Sequence, residues 1–510
     1  MNKILIVIPK IVSRYNDYTF PVGAAYVVSS LKAAGFEVDC INLSHYDVPL
    51  PAVIQQQGYN LKDYIFCGTA GLSPQFEQLS GIVKTIRRLE PRLPIMVGGG
   101  IVASLPEISV SELQVDFGVI REGEITVVEL AHALVNGANL YDVAGLVIRD
   151  SRTGKTYKTA ERPAIEDLDA LPFPDLDALN FAEMLSWQLP SSSLFTYYYD
   201  NPRLAPVIAS RSCPFNCTFC FHPLGKKYRQ RSLENIFQEI DMLVEKYQIN
   251  IVMVYDELFA LKSDKLRAIK FCEEMKKRNL KWIVQLRVDM INNTLLDLFK
   301  KSGCIMISYG IESGSNAILS SMQKFTTVAQ IDKALYMTRR AGIGMTGTVL
   351  FGDANETMDT FWESFTWWLE RRHYKIALTP IYVFPGSELY NVARQRGIIR
   401  DEAEYLKIAY PIINNTLMSN EQYVSMLNLV QQGQGQGRGF LGYYPGFLMG
   451  MASQGKDNFG RELFSISARC PHCSYVNNYR NMHHNDNQIN YLTCSCRNCN
   501  SRYDIPLLPN

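Results

Sequence analysis

Short apolar runs alternate with amphipathic stretches along the first 150 residues. The apolar runs are rich in β-branched side chains and predict strands at Lys3–Ile8, Glu37–Asn42, Tyr64–Thr69, Pro94–Gly98 and Phe117–Arg121. The stretches between them have the apolar period of helices, at Gly23–Ala34, Gln75–Leu89 and Ile125–Leu134. Continuous buried strands that alternate with helices predict an α/β fold that begins with a doubly wound parallel sheet over residues 1–150.

Three turns that follow these strands carry glycine, hydroxyl or acidic side chains. They contain Thr69 and Ser73, then Gly98, Gly99 and Gly100, then Glu122 and Gly123. Ligands of such sheets bind at the carboxyl ends of the strands, and glycine lets the backbone approach a ligand closely. Tight turns in any doubly wound domain also use glycine. The turns alone therefore do not decide whether these glycines bind a ligand or only allow close packing of the chain.

A second alternation begins near Val207 and is longer. It predicts strands at Val207–Ser210, Ile251–Tyr255, Lys281–Leu286, Ile305–Tyr309, Gly344–Leu350 and Lys375–Val383. Helices are predicted at Ser232–Tyr247, Ser263–Arg278, Asn293–Ser302, Thr327–Ala341 and Thr357–Arg372. Six such units are three-quarters of a closed eight-fold barrel, so we expect an open, partial (β/α)6 barrel over residues 206–400.

The remaining segments are less regular. Residues 151–205 carry turn-forming residues without a sustained period, and we expect a linker there. Residues 401–465 predict a helical and loop extension, with a low-complexity Gly/Gln segment at 431–439. The apolar run that follows it, at 440–451, is broken by glycine and proline. It predicts a loop laid on the core, with a lid or a membrane-surface contact as the alternative.

Composition narrows the class of protein. Hydrophobic residues make up 47% and charged residues 20%, which excludes wholesale disorder. Lys plus Arg number 51 against 50 Asp plus Glu, so no general electropositive face is expected and no nucleic-acid partner. No apolar run approaches the roughly 20 residues that span a bilayer. The first residues lead directly into a strand without a signal-peptide pattern, so we expect a cytoplasmic protein.

Eight of the twelve cysteines form two tight groups, which in a reducing compartment indicates metal or iron–sulfur ligation. The first group is Cys213, Cys217 and Cys220, directly after the first barrel strand. Three thiolates on so short a loop can each hold one iron of a [4Fe–4S] cluster and leave the fourth iron open. A zinc site with His222 as fourth ligand is the alternative. The scattered cysteines are expected to be small core residues: Cys40, Cys67, Cys272 and Cys304.

The second group lies in the tail, over residues 466–510. Two CxxC pairs separated by 22 residues predict a tetrahedral structural zinc ribbon. The expected ligands are Cys470, Cys473, Cys496 and Cys499, with Cys494 as a spare. A second iron–sulfur cluster is the alternative.

The CxxxCxxC loop, with Phe219 before its last cysteine, resembles the radical S-adenosylmethionine (SAM) enzymes. Shorter motifs follow in the order of that family: Val254–Phe259 resembles its DDxF turn, Gly310–Ser315 its GIESG segment, and Gly347–Gly352 its fifth-strand glycine motif. Arg287-Val288-Asp289 and Phe384–Tyr390 follow the third and sixth strands in the same way. The resemblance implies a [4Fe–4S] cluster on the three cysteines. It also implies SAM contacts from Phe219, Glu257, Arg287, Gly310, Glu312, Gly347 and Gly352.

The first domain resembles the cobalamin-binding domain of the cobalamin-dependent branch of this family. That resemblance implies cobalamin contacts from Thr69, Ser73, Gly98, Gly99, Gly100, Glu122 and Gly123. Cobalamin domains that ligate cobalt through histidine carry a DxHxxG segment after the first strand. Here the region reads Pro9–Arg14, as in a branch that generally lacks this histidine, so no histidine ligand to cobalt is expected. If one existed, His45 would be the residue to suspect.

The expected function is that of a methyltransferase acting on an unactivated carbon of a small molecule or peptide. An electron donor such as flavodoxin or ferredoxin would serve as its partner. A radical rearrangement or an oxidative cyclisation is the alternative. A tRNA methylthiotransferase fits less well, because those enzymes place three cluster cysteines in the front domain, which here holds only Cys40 and Cys67. A non-catalytic binding protein is disfavoured by the intact cysteine loop.

Overall fold

The first sheet has seven strands in the order β2-β1-β3-β4-β5-β6-β7. A computed structural model describes residues 2–11, 20–434, 444–483 and 491–506. Strands β1 to β5 run parallel, as predicted, and β6 and β7 add an antiparallel edge. The elements are β1 (Lys3–Ile8), α1 (Val22–Ala33), β2 (Glu37–Asn42), α2 (Leu50–Gln56), β3 (Tyr64–Ala70), α3 (Phe76–Leu89), β4 (Ile95–Gly98), α4 (Gly100–Ser104), α5 (Pro106–Leu113), β5 (Phe117–Val119), α6 (Glu124–Asn136), β6 (Leu146–Arg149) and β7 (Thr156–Lys158).

The apolar strands lie in the middle of this sheet because both of its faces are covered by helices. In β1 every residue after Lys3 is buried, and β4 is buried throughout. Strand β7 is short and mostly exposed, which is why the apolar pattern does not reveal it. The sheet therefore continues beyond residue 150, into the segment expected to be a linker.

The second sheet has six parallel strands in the order β15-β14-β13-β12-β11-β8, which confirms the partial barrel. Helices return the chain between successive strands. The elements are α7 (Phe181–Trp187), β8 (Leu204–Val207), β9 (Ser210–Arg211), β10 (Arg229–Gln230), α8 (Leu233–Tyr247), β11 (Ile251–Val254), α9 (Lys265–Arg278), β12 (Lys281–Arg287), α10 (Asn293–Lys301), β13 (Cys304–Glu312), α11 (Asn316–Ser321), α12 (Val328–Arg340), β14 (Gly344–Phe351), α13 (Met358–Glu370) and β15 (Ala377–Pro380).

The described residues of the C-terminal part form three helices and two small antiparallel sheets, β16-β17-β18 and β19-β20. Its elements are α14 (Glu388–Gln395), α15 (Glu402–Lys407), α16 (Asn420–Gln434), β16 (Phe447–Lys456), β17 (Glu462–Arg469), β18 (Val476–His483), β19 (Tyr491–Ser495) and β20 (Arg502–Pro506). The loop predicted for 440–451 is wrong from residue 447 onward, because β17 pairs with that stretch along its length. Residues 435–439 of the low-complexity segment and 440–443 of the apolar run lie outside the described residues, as do Val12, Ser13 and Arg14 of the first loop.

The cysteine-bearing tail covers the end of the barrel at which the strands begin. Lys375, which precedes β15, places Nζ 2.7 Å from an Asp504 carboxylate oxygen. The Asn500 side chain donates to the carbonyl of Gly342, which precedes β14, at 3.0 Å. The tail and the carboxyl ends of the strands are thus at opposite ends of the barrel.

The scattered cysteines behave as core residues, with one exception. Cys67, Cys272 and Cys304 are buried, and Cys40 is half-buried.

In the described part of the chain, no helix combines the length and the apolar character needed to cross a membrane.

Candidate functional site

The first cysteine group lies on a loop that other segments hold from both sides. The Thr218 N–H donates to the Met322 carbonyl at 3.1 Å, and the Leu389 N–H donates to the Thr218 carbonyl at 2.8 Å. Within the loop, the Cys220 N–H donates to the Cys217 carbonyl at 3.1 Å. The loop is therefore fixed against the turn after α11 and the start of α14.

This loop forms one side of a cavity of about 530 Å³ at the carboxyl ends of the barrel strands. The three cysteines line it, together with five residues expected to contact SAM: Phe219, Glu257, Arg287, Gly310 and Glu312. We refer to it as the cluster cavity. Five residues that the family resemblance assigns to one ligand thus line one cavity.

Gly347 and Gly352 do not line this cavity. A Cβ on Gly347 would lie 2.9 Å from the Tyr309 carbonyl oxygen, so the glycine is required by close packing of β14 against β13. Gly352 has a φ of +119°, and its N–H donates to the Glu356 carboxylate. Both glycines have a structural explanation within the barrel.

Lys324, which the sequence interpretation missed, is a buried cation at the cluster cavity. Its Nζ donates to Glu312 Oε1 at 2.7 Å. Burial lowers the pKa of Lys324, but the attraction of Glu312 and Cys217 outweighs it, so the net pKa is raised and the amine stays charged. Lys324 lies outside the sequence motifs of the site. It follows a short helix, and only the tertiary fold brings it to the cavity.

Arg287 is a second buried cation beside the cysteine loop. Its guanidinium donates to the Lys324 carbonyl at 2.8 Å, pairs with Asp289 at 3.1 Å and lies 3.9 Å from the centre of the Phe215 ring. The pKa of Cys217 is lowered to about 6, chiefly by a hydrogen bond with Cys220, with help from Lys324 and Arg287. The pKa of Cys213 is raised, chiefly by burial, and that of Cys220 is raised, chiefly by its hydrogen bond with Cys217. One thiol that ionises readily beside two fixed cations fits a thiolate ligand of an iron–sulfur cluster.

The cysteine loop does not form a site for a single ion. Among the described residues, the one compact group of potential metal ligands lies in the tail and includes neither the loop cysteines nor His222. His222 instead places Nδ1 3.3 Å from Glu257 Oε2. The alternative of a zinc ion held by the loop and His222 is therefore not supported.

A second cavity of about 630 Å³ lies at the carboxyl ends of the first sheet's strands, and we refer to it as the front cavity. Six of the seven residues expected to contact cobalamin line it: Thr69, Gly98, Gly99, Gly100, Glu122 and Gly123. Thr69 Oγ1 is buried there without a hydrogen-bond partner in the described structure. A Cβ on Gly98 would meet only Val119, at 3.8 Å. An unsatisfied hydroxyl and an open backbone fit a bound polar cofactor such as cobalamin.

Ser73, the seventh residue, lines the cluster cavity and not the front cavity. Its Oγ lies 3.3 Å from Ser104 Oγ. The turn that begins at Gly71 crosses from one chamber to the other, so Thr69 and Ser73 face different cavities. A role for Ser73 in contacting the front-cavity ligand is not supported by this placement.

Gly99 and Glu122 are explained by packing between parts of the fold. Gly99 has a φ of +86°, and its Cβ would lie 2.7 Å from the Gly71 carbonyl oxygen. This glycine therefore lets two turns of the first domain approach each other, whereas we expected it to leave space for the ligand. Arg211 Nη1 donates to Glu122 at 2.8 Å and Arg229 Nη1 at 2.7 Å, while the Ile165 N–H donates at 2.9 Å.

This buried ion-pair network joins the two domains. Arg211 also pairs with Glu124 at 2.6 Å and stands two residues before Cys213. Burial raises the pKa of Glu122, but the hydrogen bonds from Arg229 and Arg211 outweigh it, so the net pKa is lowered. The network fixes the first domain against the strand that leads into the cysteine loop.

The two cavities share part of their walls. Leu72, Pro74, Gly100 and Glu257 line both of them. A ligand of the front cavity and a ligand of the cluster cavity would therefore face each other across Leu72 and Glu257.

No histidine is among the described residues that line the front cavity. His45 is buried in the core, where Nδ1 lies 2.9 Å from Glu183 Oε2 and the ring lies 4.3 Å from that of Trp187. The structure thus places His45 in a packing role, away from both cavities.

The tail cysteines have the geometry of a mononuclear tetrahedral site. The four predicted ligands place their sulfur atoms within 4.8 Å of one another. Sγ of Cys470 lies 3.8 Å from that of Cys499, and Sγ of Cys473 lies 3.6 Å from that of Cys496. A tetrahedron with Zn–S bonds of about 2.3 Å has edges of about 3.8 Å. Cys494, the spare, is buried outside this group.

Two family models match the chain in the regions that line these cavities. The model of the radical SAM superfamily matches residues 207–367, and the model of the B12 binding domain matches residues 9–131. Neither model includes the cysteine-bearing tail.

Curated relatives resemble more than half of the chain. An uncharacterized methyltransferase of Pyrococcus horikoshii is 30% identical over 296 residues, which cover 57% of this chain and 61% of the relative. An anaerobic magnesium-protoporphyrin IX monomethyl ester cyclase of Rubrivivax gelatinosus is 28% identical over 356 residues, which cover 68% of this chain and 61% of the relative. The match therefore spans about three-fifths of the length of these two relatives.

Two solved structures share the fold. The radical SAM methyltransferase TsrM of Kitasatospora setae, with cobalamin and a [4Fe–4S] cluster bound, has a TM-score of 0.61 and 18% identity, with 77% of this chain and 75% of that chain covered. The cobalamin-dependent radical enzyme OxsB, with aqua-cobalamin bound, has a TM-score of 0.62 and 20% identity, with 85% and 62% covered.

Proposed function

Because the chain belongs to the radical SAM enzymes that carry a B12-binding domain, we propose that it is a cobalamin-dependent methyltransferase. Its substrate would be a small molecule or a peptide that is methylated on an unactivated carbon. Family membership implies a [4Fe–4S] cluster and SAM, and the B12-binding domain implies cobalamin. When bound, these groups supply a carbon-centred radical and a transferable methyl group.

The observation that carries the proposal is the shared wall of the two cavities. Leu72, Pro74, Gly100 and Glu257 line both chambers, so a substrate carbon placed there is reachable from each side. The proposed methylation would require this proximity, because the substrate carbon must lie within about 3–3.5 Å first of the group that removes its hydrogen and then of the methyl donor.

We assign the site residues by the cavity that they line. Cys213, Cys217 and Cys220 would hold the cluster, while Lys324 and Arg287 would balance its thiolate charge. Phe219, Glu257, Gly310 and Glu312 would contact SAM. Gly310 leaves space for the ion pair between Glu312 and Lys324. A Cβ at this position would lie 2.6 Å from the Glu312 carboxylate and would disturb the pair.

Thr69 and Gly98 would contact cobalamin directly. Gly100 and Gly123 line the front cavity and would border cobalamin through their backbone, and no protein histidine would ligate the cobalt. The names of relatives support methyl transfer, since those of P. horikoshii and K. setae are methyltransferases. A cyclisation, as named for the R. gelatinosus relative, is the alternative that a product analysis would reveal.

We also propose the working context of the enzyme. It would act in the cytoplasm, where flavodoxin or ferredoxin would reduce the cluster. The tail would hold one structural zinc ion on Cys470, Cys473, Cys496 and Cys499. The domains of the enzyme would be the cobalamin-binding domain with the front cavity, the barrel with the cluster cavity, and the tail. A tRNA methylthiotransferase is not favoured, because Cys40 and Cys67 lie within strands of the first sheet, where neither faces the front cavity.

The test is the fate of the SAM methyl group. Anaerobic enzyme loaded with cobalamin is incubated with methyl-deuterated SAM, a reductant and a cell extract from which macromolecules have been removed. The proposal predicts a small-molecule product that carries three deuterium atoms, and a triple Cys213→Ala, Cys217→Ala, Cys220→Ala variant that forms none. Formation of 5′-deoxyadenosine without any deuterated product would favour rearrangement or cyclisation.

A further inference from the structure

The cluster cavity has a far wall that the two family models do not fully cover. Ser73 and Ser104 of the first domain form part of it, and Phe384 and Tyr410 form the rest. Phe384 and Tyr410 lie beyond residue 367, where the radical SAM model ends. The barrel residues that line the same cavity carry the motifs assigned to SAM.

Tyr410 is held in this wall by an uncommon backbone conformation. Ala409 and Tyr410 both have a φ of +56°, in the left-handed region that costs a residue with a side chain about 1–3 kcal/mol. The Tyr410 ring stacks on Tyr405 at 5.4 Å and meets Phe384 edge-on at 5.6 Å. Such conformations persist where the surrounding packing fixes them, and they cluster at ligand sites.

The phenol of Tyr410 is a buried donor whose polar neighbour, Ser104, does not complete a well-formed hydrogen bond with it. The residue is 2% exposed, and its hydroxyl makes no well-formed hydrogen bond within the described residues. Burial raises the pKa of Tyr410, so the phenol stays protonated. A buried donor without a well-formed hydrogen bond is destabilising, and a ligand that offers an acceptor would remove that cost.

Two serine hydroxyls complete the polar part of the wall. Ser104 lies beside the Tyr410 phenol, and its Oγ donates to the Ile101 carbonyl at 2.9 Å. Ser73 Oγ lies 3.3 Å from Ser104 Oγ. Around these hydroxyls the cavity is lined by aromatic rings, among them Phe219, Phe221 and Phe384. Because the Ser104 O–H is used on Ile101 and the Ser73 O–H faces Ser104, the donor that this wall offers to a ligand is the Tyr410 phenol, with flat apolar surfaces around it.

We propose that Ser73, Ser104 and Tyr410 form the substrate-recognition subsite, which binds a flat, apolar ring bearing a hydrogen-bond-accepting oxygen or nitrogen. That this ligand is the substrate rests on the proposed function, whereas its chemical class is inferred from the residues of the wall alone. Cobalamin is not the ligand of this subsite, because Ser73, Ser104 and Tyr410 do not line the front cavity.

The test uses two probes of the same shape. The full-length protein, loaded with cluster, cobalamin and saturating SAM, is titrated under anaerobic conditions by ¹⁹F NMR with 4-fluoroacetophenone. A second titration uses 1-ethyl-4-fluorobenzene, which has the ring but no acceptor. One hydrogen bond is worth about 0.5–1.5 kcal/mol, so the ketone is expected to bind about two- to tenfold more tightly.

Variants assign this preference to the wall. Tyr410→Phe keeps the ring and removes the donor, so it is expected to abolish the preference and leave the affinity for the ethyl probe unchanged. Ser104→Ala is expected to reduce the preference as well. Tyr405→Phe is the matched control: its phenol donates to the Val383 carbonyl at 3.0 Å and does not line the cavity, so the preference should remain.

Three results would overturn the proposal. They are equal affinity of wild-type protein for the two probes, an undiminished preference in Tyr410→Phe, and weaker binding of the ketone to SAM-saturated protein than to the same protein without SAM, which would assign the wall to SAM itself. Because the titration measures binding without turnover, its outcome is independent of whether methyl transfer is detected.

Discussion

Replacing Glu122 by Gln should destabilise the contact between the two domains by about 3 kcal/mol. Glu122 is 6% exposed and accepts hydrogen bonds from Arg211, Arg229 and the Ile165 N–H. Breaking a buried ion pair costs about 3–5 kcal/mol, because the remaining charge is left uncompensated. Arg211 keeps its partner Glu124, so most of the loss falls on Arg229 and the lower end of that range applies.

The assay is urea unfolding followed by tryptophan fluorescence, with Glu161→Gln as control. Glu161 also pairs with an arginine, Arg121, but its side chain is 72% exposed, so its loss should cost less than about 1 kcal/mol. If Glu122→Gln cost no more than Glu161→Gln, the network would not hold the domains together, and the reasoning would be refuted.

The same carboxylate predicts a dependence on pH. The folded-state pKa of Glu122 is lowered from its ordinary value of 4.5, so its contribution to stability is present above about pH 4.5 and is lost as the pH falls through the folded-state pKa. Wild-type protein should therefore lose more stability than Glu122→Gln between pH 5 and the acid range. An identical acid profile of the two proteins would contradict this assignment.

Two further changes separate the cofactor sites. Gly98→Leu should lower hydroxocobalamin uptake at least tenfold, because the new side chain would meet only Val119 and would extend into the front cavity. Gly81→Leu, on the open face of α3, is the control and should have no effect on uptake. Uptake is measured by visible absorbance after gel filtration, and unaltered uptake by Gly98→Leu would place cobalamin elsewhere. Cys496→Ala should remove about one zinc ion per chain, as measured by elemental analysis. Cys494→Ala should retain the zinc ion, because the Cys494 sulfur lies outside the four-cysteine group. Loss of zinc in both variants, or iron and sulfide in the tail, would contradict the tetrahedral zinc site.

Both parallel sheets could be predicted from the sequence, because a strand buried on two faces is a continuous apolar run. Strands β7 and β16 could not, since each is largely exposed and its residues carry no apolar alternation. They are held by pairing with a neighbour, which the local pattern does not encode.

The cysteine ligands were predictable because their spacing is itself the signal. Lys324 and Tyr410 were not, since neither stands in a motif and both reach the cluster cavity only through the tertiary fold. Thr69 lies near the end of β3 and Ser73 in the turn that follows, and only the tertiary structure shows that they face different cavities. Glu122 was identified as a ligand contact from a local motif, whereas its partners Arg211 and Arg229 lie about ninety or more residues away.

The central claim is that the cluster and cobalamin occupy adjoining cavities that share Leu72 and Glu257. Pulsed electron paramagnetic resonance of protein holding both the reduced cluster and cob(II)alamin tests it directly, with cluster-free Cys213→Ala, Cys217→Ala, Cys220→Ala protein as the reference. The structure predicts a dipolar interaction that shortens the relaxation time of the cobalt signal relative to the reference. A cobalt signal that relaxes identically with and without the reduced cluster would contradict it.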